Sequence, residues 1–115
     1  MEDNLIELLE TFEMPVIRQG SLGDDEDYPD TFFTFWNNDE YEHSAYDNET
    51  ATVIYDFDVN VYSTNPAKAY ELLNKARNLL IKNGWKTLQR GYDVASDVDT
   101  HVGRGMNVII LKNEN

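Results

Sequence analysis

Cysteine is absent from this 115-residue sequence, and basic residues are scarce. Without a thiol, the chain can form no disulfide, no thiolate metal site and no cysteine nucleophile. Nine lysine and arginine residues stand against 22 aspartate and glutamate residues, so the formal net charge is −13. A chain this acidic repels the nucleic-acid backbone and anionic membrane surfaces. We therefore expect neither nucleic acid nor a membrane as its partner.

Long apolar runs are also lacking. No stretch approaches the roughly 20 apolar residues that cross a bilayer. The N-terminal ten residues are acidic and have no basic region of the kind that opens a signal peptide. We expect a cytoplasmic protein. The length and the 41% hydrophobic content predict one folded domain over residues 1–115.

The charge is distributed unevenly along the chain. Residues 1–64 contain 17 acidic residues and one basic residue, a net charge of −16, whereas residues 65–115 contain five acidic and eight basic residues, a net charge of +3. Such polarity suits head-to-tail contact between copies, in which the acidic part of one meets the basic part of the next. A monomer whose charges are simply solvated is the favoured interpretation, because runs of charge are usually solvated.

Two segments have the pattern of amphipathic helices. The first is residues 3–12, where apolar residues recur at helical spacing as Leu5, Leu8, Leu9 and Phe12. The second is residues 65–83, which opens with Asn65 as an N-cap and Pro66 at the first helical position. Gly84 predicts a left-handed stop. Four basic residues lie mostly off the apolar stripe of this second helix: Lys68, Lys75, Arg77 and Lys82.

The remaining segments indicate strands. Strict apolar–polar alternation over residues 51–63 predicts a long antiparallel strand with one wet face, whose odd-numbered residues pack on the 65–83 helix. At about twice the usual length, this strand is expected to extend beyond the sheet and to serve an assembly contact. Shorter strands are predicted at 16–19, 31–36, 40–47, 85–94 and 106–112, with a turn at 37–39 and loops at 20–30 and 95–105. The prediction is an α+β fold, a mostly antiparallel sheet with two helices on one face in the order α-β-β-β-β-α-β-β.

No catalytic residue, metal site or cofactor site is predicted. Asp56 and Asp58 share one strand face about 7 Å apart, a spacing that suits acid–base chemistry only inside a pocket. Asp97, Asp99 and His101 would share a face if extended, but nothing nominates a further metal ligand. The acids at 24–27 lack the alternating pattern of a calcium loop. The stretch 103–105, Gly-Arg-Gly, precedes a strand, so a tight turn is favoured over a phosphate loop.

Three stretches together resemble a known family. They are Tyr28-Pro29 followed by residues 31–38 (TFFTFWNN), residues 57–66 (FDVNVYSTNP) and residues 97–105 (DVDTHVGRG). In this order they resemble the tail-terminator, or tail-completion and head–tail joining, proteins of long-tailed bacteriophages and prophages. The resemblance covers most of residues 14–112, and its motifs are structural.

The resemblance implies a ring oligomer, commonly a hexamer, that caps the tail tube and offers a surface to the head connector. The implied partners are therefore further copies of this chain, a tail tube protein and a head connector protein. The implied location is the host cytoplasm during assembly and then the virion neck. We expect contacts at the 20–30 loop, the 37–50 hairpin and the 95–105 loop. The candidate oligomer-interface residues are Lys68, Lys75, Arg77, Lys82, Arg104, Asp56 and Asp58.

Three other functions fit the same sequence. An acidic DNA mimic that inhibits a nucleic-acid enzyme would use the −13 charge to bind a basic protein as a monomer or dimer. A small hydrolase would use Asp56 and Asp58, or the 97–101 cluster, in a pocket. A generic adaptor would bind partners without forming a ring.

Overall fold

The computed structural model describes residues 1–21, 28–43 and 51–114. Seven elements follow one another along the chain: α1 (Glu2–Glu10), β1 (Val16–Arg18), β2 (Thr31–His43), β3 (Ala51–Ser63), α2 (Pro66–Lys82), β4 (Tyr92–Val94) and β5 (Val102–Glu114). The strands form one sheet in the order β1-β2-β3-β5-β4. Among the strand pairs of these described residues, only β1–β2 is parallel. The predicted α+β class is confirmed, with one strand fewer before α2 than expected.

The core lies between the two helices and one face of the sheet. The odd-numbered residues Phe57, Val59 and Val61 of β3 are fully buried, and they pack in one cluster with Leu73, Leu80 and the other buried residues of α2. Leu5 and Leu9 of α1 are buried in the same cluster. The alternation of β3 therefore predicted correctly which face the helices cover. Burial of these side chains is the main stabilising contribution to the fold.

Local signals fix both ends of α2. The Asn65 side chain accepts hydrogen bonds from the backbone N–H groups of Ala67 and Lys68, at 3.1 and 3.4 Å, which caps the helix as predicted. Pro66 occupies the first turn. Gly84 has a φ of +94°, the left-handed conformation expected of a helix stop.

The predicted turn at 37–39 is wrong. Strand β2 runs without a break from Thr31 to His43, and its register against β3 shifts between Asn37 and Asp39. Asn38 is thus the extra residue of a β-bulge. The bulge lets the strand continue, but it reverses which side chains after it point to each face of the sheet. The predicted strand 40–47 is consequently the end of β2 as far as residue 43. Residues 44–50 and the acidic stretch 24–27 lie outside the described residues.

The C-terminal strands also differ from expectation. The predicted strand 85–94 is reduced to β4 and one isolated bridge between Lys86 and Ile109. Strand β5 begins at Val102, not 106, and it includes the stretch 103–105 that was expected to form a turn. A Cβ on Gly103 would lie 2.8 Å from the Tyr62 ring and 2.6 Å from Val94. Side chains of the neighbouring strands thus occupy the space that a side chain at this position would need, which accounts for the glycine.

The ends of three strands extend past the helices. Buried core residues stop at Tyr55 of β3 and Ile110 of β5, and Gly84 beyond α2 lies beside Ile110. We call the projecting part the arm: residues 39–43 of β2, 51–54 of β3 and 111–114 of β5. The described residues measure 52 × 28 × 22 Å, an elongated shape consistent with this projection. Across the described ranges, no helix is long and apolar enough to cross a membrane.

Candidate assembly surface

The face of the sheet that α1 and α2 leave uncovered, here called the open face, has polar side chains in its middle. The Asn107 side-chain amide donates to Asp56 Oδ1 at 2.6 Å and to Asp58 Oδ1 at 3.2 Å. Asn38, the bulge residue, donates to Asp56 Oδ1 at 3.3 Å. Sequence reasoning correctly placed the two carboxylates on one face. Their nearest partners are amides, which orient carboxylates but transfer no proton.

Metal-binding side chains do not converge here. Over residues 1–21, 28–43 and 51–114, no three histidine, cysteine, aspartate or glutamate residues are grouped closely enough to hold a metal ion. The amides of Asn38 and Asn107 already satisfy acceptor positions on both carboxylates. As arranged, Asp56 and Asp58 form an acidic, hydrogen-bonded patch on an open sheet face.

His101 lies in a buried cluster with aromatic residues. It is only 8% exposed, and its ring lies 5.9 Å from those of Tyr28 and Phe32. Its Nε2 donates to the carbonyl oxygen of Pro29 at 2.7 Å, since a carbonyl can only accept, and its Nδ1 lies 2.8 Å from the Thr100 hydroxyl. With both ring nitrogens engaged, His101 ties residues 28–29 to the start of β5. Asp97 and Asp99 are exposed and take no part in this cluster.

The seven predicted interface residues do not form one patch. Asp56 and Asp58 lie on the open face, whereas Lys68, Lys75 and Lys82 are exposed on α2 on the other side of the sheet. Arg77 is partly buried and donates from Nε to the Gln89 carbonyl at 2.9 Å. Arg104 pairs with Asp93 at 3.0 Å and stacks 5.1 Å over the Tyr70 ring. Both arginines thus make intramolecular contacts, and their role between copies remains a prediction.

The three lysines border a groove along α2. One hollow of about 520 Å³ lies beside Lys68 and Lys75, and a second of about 440 Å³ lies beside Lys75 and Lys82. Phe12, at the end of α1, lines both hollows, and Met14 lines the first. The two hollows share Phe12 and Lys75, and together we call them the helix groove. Beside Phe12 and Met14, α2 contributes the three lysines, the apolar residues Leu72, Leu79 and Ile81, and the acidic residue Glu71.

The arm is acidic overall, although its β5 part carries the exposed Lys112. Its β2 part carries Asp39, Glu40 and Glu42, which are all exposed, and no basic residue with a described side chain. Tyr41 lies between the two glutamates and is 45% exposed. Because side chains alternate along a strand, Tyr41 points to the open face with its neighbour Ile54, while Glu40 and Glu42 point to the opposite face. No strand pairs with the outer edge of β2 from residue 36 to residue 43 within the described chain.

A small hollow lies on the open face of the sheet. It measures about 140 Å³ and is lined by Gln19, Thr34, Tyr62, Asp97 and neighbouring residues. Burial, and to a smaller extent the charge of Asp97, raises the pKa of the Tyr62 hydroxyl. The Thr34 hydroxyl lies beneath this hollow and is fully covered by surrounding atoms.

No protein-family model matches the chain. No curated protein matches it either.

The sequence did not predict that Tyr41 would be exposed near the end of β2, nor did it predict the helix groove. Tyr41 was assigned to a separate edge strand, and the groove depends on how α1 lies against α2. The hydrophobic pattern of α1 indicates part of the groove. Leu5 and Leu9 are buried, whereas Leu8 and Phe12 of the same stripe are only partly covered.

Proposed function

We propose that this chain is a structural assembly protein, a ring-forming subunit of the tail-terminator kind that caps a phage or prophage tail tube and joins it to the head connector. The observation that carries the proposal is the separation of charge and shape within one chain. An acidic arm projects at one end of the sheet, and a basic, partly apolar groove runs along the helix layer.

Complementary surfaces at different places on one molecule favour head-to-tail contacts, which close into a ring when the rotation between copies is right. Contacts between identical surfaces are disfavoured by the same charges, because arm against arm brings acidic residues together. Six copies at −13 each carry a formal charge of −78. Closing such a ring requires local pairing of opposite charges, or cations that screen the repulsion.

The location follows from this role. The protein would assemble in the host cytoplasm and remain in the virion neck, with a tail tube protein and a head connector protein as neighbours. The open face, with its acidic middle and exposed Trp36, is the surface left for such partners once the arm and groove are occupied.

Negative-stain electron microscopy of the purified protein, with and without Mg²⁺, tests the proposal alongside light-scattering mass. Closed rings of about six copies support it. A monomer or dimer that captures a basic protein in a strongly salt-dependent way would instead identify an acidic DNA mimic. A monomer that binds partners without that salt dependence would indicate an adaptor.

A further inference from the structure

We propose that the β2 edge of the arm docks into the helix groove of a second copy, with Tyr41 against Phe12 and Met14, Glu42 against Lys75 and Glu40 against Lys82. This inference rests on the proposed ring and specifies the contact that closes it. The occupant of the groove is therefore another copy of this chain.

The first argument is that the two surfaces have matching sides. The groove is bordered by Phe12 and Met14, which follow α1, and by lysines of α2 that lie among apolar residues such as Leu72 and Leu79. The β2 edge has an aromatic residue on one side and two carboxylates on the other, because of the alternation along the strand. A strand entering the groove edge-on therefore meets an apolar wall with Tyr41 and a basic wall with Glu40 and Glu42.

The second argument is reach. The arm starts where the helix layer ends, so its outer edge is free of its own helices. Glu40 and Glu42 lie roughly 7 Å apart along the strand, and Lys75 and Lys82, two helical turns apart, lie roughly 10 Å apart. The flexible lysine side chains easily span that difference.

The third argument is the bulge at Asn38. Without the extra residue, Tyr41 would lie on the helix side of the sheet, and Glu40 and Glu42 would lie on the open face. The bulge therefore determines which wall of the groove each side chain can meet. Bulges commonly redirect side chains at the edges of sheets in this way.

Cysteine cross-linking tests the contact directly, because the chain contains no cysteine. Glu42→Cys and Lys75→Cys proteins are mixed at a concentration where light scattering reports rings, and then oxidised. We expect disulfide-linked dimers in the mixture and few in either variant alone. Arg90→Cys mixed with Glu42→Cys is the control, since Arg90 is exposed and is not among the residues that line the groove.

Charge exchange gives an independent measurement. Glu42→Lys and Lys75→Glu should each weaken assembly roughly tenfold, since each turns an attraction into a repulsion. The double variant should restore most of the affinity, whereas Glu42→Lys combined with Arg90→Glu should not. Lys75 serves better here than Arg77, whose reversal would also remove the hydrogen bond to Gln89.

The possible failures are distinguishable. Rings that form without the Glu42–Lys75 cross-link and without rescue by charge exchange would overturn the docking but leave the ring intact. A protein that stays monomeric at every concentration tested, with or without Mg²⁺, would contradict both the ring and the docking.

Discussion

The two faces of the sheet differ in what their side chains do, although the same strands supply both. On the face covered by α1 and α2, Phe57, Val59 and Met106 are fully buried in an apolar cluster. On the open face, the residues beside them in sequence are polar or only partly covered, among them Asp56, Asp58 and Asn107. The covered face holds the fold together, so substitutions there should reduce stability. Apart from the buried cluster around Phe32 and His101, the open face and the arm are less constrained by packing and are available for contacts with other molecules.

The largest effect that tests this comparison should come from truncating one aromatic residue on each face. Phe57→Ala removes a fully buried ring that packs edge-on against Trp85 at 5.9 Å, and we expect a loss of about 3–5 kcal/mol in the free energy of unfolding. Trp36→Ala removes a side chain that is 45% exposed, and we expect a loss of about 1 kcal/mol or less. Urea unfolding measures both, and equal losses would show that the open face is also a packed surface.

Enlarging a glycine on the open face should give the next largest effect. A side chain at Gly103 would collide with Tyr62 and with Val94, including its backbone carbonyl at 2.8 Å. Gly103→Val should therefore cost about 1–3 kcal/mol. Leu111→Val, further along the same strand and face, is the matched control and should change stability by less than about 0.5 kcal/mol. An unchanged midpoint for Gly103→Val would mean that the start of β5 shifts at little cost.

Phe57 and Gly103 also show which features of the fold were predictable from the sequence. Period-two alternation over residues 51–63 was enough to identify the covered face, since burial on one side of a strand produces that pattern by itself. The cap and stop of α2 were equally local, so its ends were predicted to within a residue. Gly103 and Gly105 were different. Glycine pairs indicate turns by local chemistry, and only the neighbouring strands show why glycine is needed inside β5.

The same limit applies to the candidate site. Asn37, Asn38 and Asp39 are good turn residues, and the decision between a turn and a bulge depends on pairing with β3, which lies more than ten residues away in the chain. The charge asymmetry predicted that acidic and basic surfaces would be separated. It did not predict the helix groove, because that depends on the packing of α1 beside α2. The separation of acidic and basic residues is thus visible in the sequence, whereas the shape of the groove depends on tertiary packing.

Removing the N-cap of α2 tests how much the helix that covers the sheet depends on its first turn. Asn65→Ala deletes the acceptor for two backbone N–H groups at the start of the helix that covers the sheet. We expect a loss of about 1 kcal/mol. Asn78→Ala, at an exposed position of the same helix, should be neutral or slightly stabilising. Thermal unfolding followed by circular dichroism compares the two, and a larger loss at Asn78 would contradict the assigned cap.

The smallest expected effect concerns protonation on the open face. Burial first, and then the charge of Asp97, raises the pKa of Tyr62 above its ordinary value of 10.0. The folded state therefore holds this proton more tightly than the unfolded state does. The resulting stability is fully present below about pH 10 and is lost as the pH rises through the folded-state pKa. Tyr62→Phe lacks this ionisation, so its free energy of unfolding should fall less steeply above about pH 10 than that of the parent protein.

Tyr92 provides the comparison for that measurement. Its pKa is also raised, by burial and then by the charge of Asp58, so Tyr92→Phe should flatten the same alkaline region. Urea unfolding at a series of alkaline pH values, together with absorbance titration of the tyrosines, separates the two contributions. The covered face is dominated by aliphatic and phenylalanine side chains, so Phe57→Ala should lower stability by the same amount at every pH. An alkaline decline that persists unchanged in the Tyr62→Phe, Tyr92→Phe double variant would show that the protons involved belong to other groups, and that the open face contributes to stability by packing alone.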